Sequence, residues 1–193
     1  RFAGPWGVGF DYACLFPDGG LLGGSVGTDV HPLPGGGLEN YTDERWNRVI
    51  EVNMNGIFAT VRAAVRHMKP RRSGRIILTT SLAATRVEPA IGAAYMAAKA
   101  GIAHLMRTAA MELAAYNITV NAVAPGYIVT NIGDGHALNP LEQKAVARTI
   151  PMHRVGFAAD MYGVALVLAS PASDYITGQQ IIVDGGQSLG EAD

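Results

Sequence analysis

The 193-residue chain is short of cysteine, of charge and of long apolar runs, and each shortage removes a class of protein. Cys14 is the single cysteine, so neither a disulfide framework nor a thiolate metal site can be assembled within one chain, and a reducing compartment fits. No apolar run reaches the length of a bilayer crossing, and the first residues lack the charged-then-apolar layout of a secretion signal. A soluble cytoplasmic protein without a membrane partner is the expectation. Only 16% of the residues are charged and the formal net charge is -1; the scattered Lys and Arg leave no basic face for phosphates, so no nucleic-acid partner is expected. The five histidines (31, 67, 104, 136 and 153) lack metal-ligand spacing, and no metal is expected; His136 alone falls where it could touch a substrate.

What is present is a foldable, apolar chain. Hydrophobic residues make up 49% of it, enough to offset chain entropy, and the length suits one domain over residues 1–193. Residues 1–20 are atypical, rich in Gly, Pro and aromatics, with room for one short strand between Gly7 and Phe16. Leu21–Val26 reads as a buried strand, followed by a Gly- and Pro-rich loop to Asn40. Thr42 is an N-cap with Asp43 and Glu44 behind it, and apolar residues at helical spacing run on to a stop expected before Pro70. Arg75–Thr80 is a β-branched run of the kind buried on both faces of a parallel sheet. An Ala-rich helix from about Ala93 to Tyr116 should close at Asn117. Strand Ile118–Ala124, a polar segment 131–148 with a helix near Pro140, a helix over Ala159–Ser170 and a last strand Gln180–Val183 complete the order. Strands alternating with helices imply an α/β fold, a parallel sheet covered on both faces, with ligands outside the strands' carboxyl ends.

Tyr95 and Lys99 stand four apart on the predicted helix and project from one face. An ammonium beside a phenol favours the phenolate and lowers a pKa that starts near ~10 towards the range of a general acid or base. Ser81, after the preceding strand, could hold the same substrate oxygen. The three form one coherent acid–base group for a small carbonyl or alcohol substrate.

With these residues the chain resembles the short-chain dehydrogenase/reductase family, over about residues 42–190. Trp46–Gly56 (WNRVIEVNMNG) is similar to the family helix whose Asn, here Asn53, orders a water in the proton relay. Gly74–Ser81 resembles the strand ending in the catalytic Ser, Ala94–Gly101 (AYMAAKAG) the Tyr/Lys segment, Asn121–Thr130 (NAVAPGYIVT) the nicotinamide-side loop, and Tyr175–Gly186 the last strand. The resemblance implies a Rossmann-like sheet and an NAD- or NADP-dependent oxidoreductase. By it, Asn53, Ser81, Tyr95 and Lys99 are catalytic, with Tyr95 the acid or base and Lys99 on the nicotinamide ribose. Tyr95, Lys99, Pro125, Gly126, Ile128 and Thr130 bind the cofactor, residues 131–148 form the substrate lid, and the two long helices and last strand make homo-oligomer contacts, as dimer or tetramer.

The chain departs from the family upstream. The opening strand, the glycine-rich turn TGxxxGxG and its helix are not legible, so the fold is expected to be truncated or altered on its N-terminal side. Gly23–Gly27 (GGSVG) stands in place of the family's Asn-Asn-Ala-Gly, and the glycines between Gly4 and Gly9 read as loop. Ser81 and Tyr95 are fourteen apart where thirteen is commoner, a difference the loop through Glu88 and Pro89 can absorb. Three readings remain open: an NAD(P)-dependent oxidoreductase; a shortened enzyme using the Ser/Tyr/Lys group without nucleotide for isomerisation, dehydration or cyclisation; and a non-catalytic partner subunit of a longer relative.

Overall fold

The computed structural model describes residues 12–15, 21–24, 37–89, 91–130 and 139–190. Five strands form one sheet in the order β2-β1-β3-β4-β5. They are β1 (Tyr12–Leu15), β2 (Leu21–Gly24), β3 (Gly74–Thr79), β4 (Ile118–Pro125) and β5 (Gln180–Val183). The helices are α1 (Asp43–Ile50), α2 (Gly56–Arg71), α3 (Ala93–Leu113), α4 (Pro140–Ala147) and α5 (Tyr162–Ala169).

The three C-terminal strands run parallel, with Gly74 opposite Ile118 and Thr79 opposite Val123, then Ala122 opposite Gln180 and Pro125 opposite Val183. This is the expected Rossmann-like arrangement, and it brings the carboxyl ends of β3, β4 and β5 to one end of the sheet. The expected alteration on the N-terminal side takes the form of an antiparallel pair. β1 lies between β2 and β3 and is antiparallel to both, with Tyr12 opposite Gly24 and Leu78. A connection of only five residues between β1 and β2 is too short for the helical crossover that parallel neighbours need, so an antiparallel pairing follows. Among the described residues β2 is an edge of the sheet, and the last two residues of the expected 21–26 strand lie outside the described ones. The glycines from Gly4 to Gly9, His31 and His136 also lie outside them.

The main core lies between one face of the sheet and helices α2 and α3. Ile76 and Leu78 of β3 and Ile118, Val120 and Ala122 of β4 meet Ile57, Val61, Ala64 and Met68 of α2 and Ile102, Met106 and Leu113 of α3. Each fully buried aliphatic side chain of this kind contributes about 1.5–3 kcal/mol. Helix α5 also packs on β3 and β4; its Leu168 is fully buried, while Tyr162, Leu166 and Val167 remain exposed. None of the helices among the described residues is long and apolar enough to cross a membrane.

The helix ends follow local chemistry, with one correction. Thr42 Oγ1 accepts the Arg45 N–H at 3.3 Å, and Asp43 and Glu44 fill the first turn of α1. Asn117 closes α3 and its 3₁₀ extension in the left-handed conformation (φ 56°). Pro70, expected to lie beyond the helix, is inside α2, which ends at Arg71 with Arg72 left-handed (φ 51°). Its position in the last turn explains the tolerance, because only one intrahelical bond, to an exposed residue four back, is forfeited there. The segment between α1 and α2 is likewise irregular: Glu51–Asn55 is a π turn, in which Gly56 N–H reaches back five residues to Glu51 O.

Candidate active site

Helix α3 carries Tyr95 and Lys99, and its near face is built of small side chains. Ala94 and Ala98 are wholly buried, and their short reach lets α3 pack directly on the 3₁₀ turn Leu82–Ala84, on α1 and on the π turn. Tyr95, in the first turn, places its ring in an apolar cluster with Val49, Ala83 and Ala94, flanked by Tyr41, Ile91 and Met96. Lys99, one turn further, is 2% exposed, with its Nζ 5.3 Å from the centre of the Tyr95 ring. That ammonium donates to the carbonyl of Thr79, the last residue of β3, at 3.3 Å. A buried charge is costly without such partners, so the lysine is held at the strand end rather than left to solvent.

Ser81 stands at the exit of β3. Thr80 anchors the chain there, donating both its N–H (2.9 Å) and its hydroxyl (3.2 Å) to Val123 O of β4. The next residue, Ser81, caps the 3₁₀ turn by accepting the Ala83 N–H at 3.1 Å; a hydroxyl so engaged still has its proton to donate. Asn53 is buried in the π turn, and its Nδ2 donates to Val49 O at 3.0 Å. A groove of about 430 Å³ lies on the outward side of this turn, lined by Asn47, Arg48, Ile50, Glu51, Val52 and Asn55; none of Ser81, Tyr95 and Lys99 lines it.

The loop after β4 carries the other sequence-derived candidates, Pro125, Gly126, Ile128 and Thr130. Gly126 N–H donates to Val183 O of β5 at 3.1 Å, Gly156 N–H to Tyr127 O at 3.0 Å, and Val129 N–H to Gly156 O at 2.9 Å, with Ile128 bridged to Gly156. At Gly126 no side chain fits: a Cβ would lie 2.6 Å from Asp184 Cβ and 2.7 Å from Gln187 Oε1. The Tyr127 hydroxyl donates to Glu142 Oε1 of α4 at 3.1 Å. Burial first, then this carboxylate, pushes the Tyr127 phenol up to about 12.

Four members of this end of the molecule were not singled out by sequence reasoning: Arg86, Tyr127, Asp184 and Gln187. Asp184 had a local signal, since aspartate before glycines bonds the backbone just ahead of it. Its carboxylate accepts the N–H groups of Gly186 (2.9 Å) and Ser188 (2.6 Å). Burial opposes the charge, but the Ser188 and Gly186 bonds and the nearby Arg86 outweigh it and hold the carboxyl below its ordinary range.

The chain is therefore an α/β protein in which Ser81, Lys99 and the loop after β4 stand where parallel strands end, and comparison with known proteins gives the class a name. The enoyl-(acyl carrier protein) reductase family model matches residues 25–188. A 3-oxoacyl-[acyl-carrier-protein] reductase of Synechocystis sp. is 41% identical over 147 residues, covering 76% of this chain and 57% of that protein. Among solved structures, a gluconate 5-dehydrogenase from Burkholderia cenocepacia in complex with NADP and tartrate superposes with a TM-score of 0.77 at 30% identity, covering 85% of this chain and 62% of that one. A 3-oxoacyl-[acyl-carrier protein] reductase from Brucella melitensis with bound NAD gives 0.71 at 35% identity, covering 82% and 59%. The chain belongs to the short-chain dehydrogenase/reductase family of oxidoreductases. It spans little more than half the length of the curated relatives it matches.

Proposed function

We propose that the protein is an NAD(P)-dependent oxidoreductase that interconverts a small carbonyl compound and its alcohol. The observation that carries this reading is the buried Lys99 ammonium, one helical turn from Tyr95 and tied to the end of β3 beside Ser81. Tyr95, Lys99 and the glycine-containing loop after β4 suit the nicotinamide half of such a cofactor. A glycine-rich phosphate turn at a helix start is not among the described residues, so the pyrophosphate has no assigned partner. Similarity to proteins that hold NAD and NADP supports the class without choosing between the two.

When bound, the nicotinamide supplies or accepts the hydride. The residues of this chain handle the proton and the placement. In reduction, Tyr95 donates its hydroxyl proton to the carbonyl oxygen as charge develops there, and Ser81 donates a hydrogen bond to the same oxygen. Lys99 stabilises the negative charge left on Tyr95 and binds the ribose. Asn53 orders the water through which the proton is restored. Pro125, Gly126, Ile128 and Thr130 line the nicotinamide side; of the proposed substrate lid over 131–148, residues 131–138 lie outside the described ones. Exposed Phe58 on α2, Met111 on α3 and Ile182 on β5 support homo-oligomer contacts on the long helices and last strand.

The test is titration with NADH and NADPH, followed by turnover of a panel of small ketones and 3-oxoacyl thioesters. Cofactor-dependent quenching or a raised melting temperature is expected. No response to either nucleotide at millimolar concentration would remove the reading. Turnover in nucleotide-free buffer that disappears in Tyr95→Phe would replace it with proton-transfer chemistry at the same residues.

A further inference from the structure

Three loops from distant parts of the sequence meet on one half-buried residue at the carboxyl end of the sheet. Arg86, in the loop beyond Ser81, donates from Nη1 to the Gln187 carbonyl at 2.6 Å, across 101 residues of sequence. The Gln187 side-chain Oε1 accepts the Tyr127 N–H of the loop after β4 at 3.0 Å, across 60 residues. Gln187 N–H donates to Asp184 O at 3.2 Å, within its own loop. We infer that Gln187 is a positioning residue: it holds the loop after β4 in register with the serine loop and the β5 loop, and so sets how tightly that loop grips whatever binds at this end.

The tie is built from both sides. Gly126 makes room for it, because any side chain there would strike the glutamine oxygen and Asp184. The loop that carries Gln187 is fixed by the Asp184 carboxylate on Gly186 and Ser188. Arg86 is oriented by a 2.7 Å ion pair with Glu88. On its far side Tyr127 continues to Glu142, so a shift of its backbone is passed to α4. Glutamine suits the position because it offers a neutral acceptor at the end of a long side chain; methionine has the same reach without a good acceptor, and glutamate keeps the acceptor.

The ligand affected rests on the proposed nicotinamide-side role of the loop after β4, and the experiment separates the two ideas. Backbone hydrogen exchange over residues 123–130 is followed in the wild-type chain, Gln187→Met, Gln187→Glu and Arg86→Met, alongside the dissociation constants for NADH and NADPH and the melting temperature. Gln187→Met should speed exchange at Tyr127 and weaken nucleotide binding about tenfold, the scale of one lost placing hydrogen bond. Gln187→Glu should restore both, and Arg86→Met should reproduce a part of the Gln187→Met effect. Unchanged exchange in Gln187→Met overturns the inference whatever the nucleotide does. Faster exchange with unchanged affinity overturns it too, by showing that the tie does not govern binding. A wild-type chain that binds neither nucleotide sinks the proposed function instead, and the exchange data alone then decide the role of Gln187.

Discussion

The body of the molecule and the rim of loops above it are held together by different physics. In the body, aliphatic side chains of β3 and β4 interlock with those of α2 and α3, and cohesion is spread over many apolar contacts. At the rim, the loops after β3, β4 and β5 and the helix α3 are fixed by individual hydrogen bonds such as Lys99 to Thr79, Tyr127 to Gln187 and Arg86 to Gln187. A dry interior tolerates rearrangement but resists loss of volume; a polar rim fixes positions and is sensitive to one atom. Changes in the body should therefore move stability, and changes at the rim should move activity.

The largest expected effect is on activity alone. Tyr95→Phe removes a hydroxyl while leaving the ring in its apolar cluster, and kcat should fall by about 10²–10⁴-fold with little change in melting temperature. Retained turnover would break the division between body and rim at the residue proposed as the acid or base. The converse test is Leu78→Ala, at a fully buried strand position: denaturant unfolding should show a loss of about 2–5 kcal/mol, with turnover per folded molecule preserved. Gly126→Ala should blur the boundary, since its Cβ would collide with Asp184 and Gln187. It should cost about 1–3 kcal/mol in chemical unfolding and weaken nucleotide binding as well.

Two smaller effects sharpen the contrast. Gly163, exposed in α5 with nothing within 4 Å of a Cβ, gains from Ala by about 0.4–1 kcal/mol, visible as a raised melting temperature. The last concerns the rim in acid. Asp160 accepts two bonds from Arg154 (2.8 and 2.7 Å) and then one from Phe157 N–H (2.8 Å), which together hold its carboxyl down from the ordinary 3.8 to about 2. Its contribution is complete above about pH 4 and disappears as the pH falls through about 2. Asp160→Asn should therefore flatten stability measured between those values. The effect is the smallest of the five because the pair is exposed and screened by salt.

Where periodicity and end signals are strong, the chain is readable by eye. The β-branched run at Arg75–Thr80, the alanine-rich helix and its Asn117 cap, and the Gln180–Val183 strand fall within a residue or two of their positions, because each is dictated by neighbours in sequence. The nearness of Lys99 to Tyr95 was legible for the same reason, since the two sit four apart on one helix. Pro70 misled, since its rule concerns helix interiors and it lies in a last turn. The antiparallel pairing of β1 with β3 joins strands about sixty residues apart, and the bonds of Gln187 join residues 60 and 101 positions away; local pattern is silent about both.

The π turn at Glu51–Asn55 makes the stretch from Asp43 to Arg71 behave like two gears meshed through one supernumerary tooth. Removing a single residue there would let the ladder close in ordinary α fashion and turn α1 by about 100° against α2. Val49 would then swing off Ala83, Ala94 and Tyr95 while Ile57 kept its seat. Near-ultraviolet dichroism of such a deletion variant should show an altered aromatic signal, because Tyr95 and its neighbour Tyr41 lose the packing of Val49.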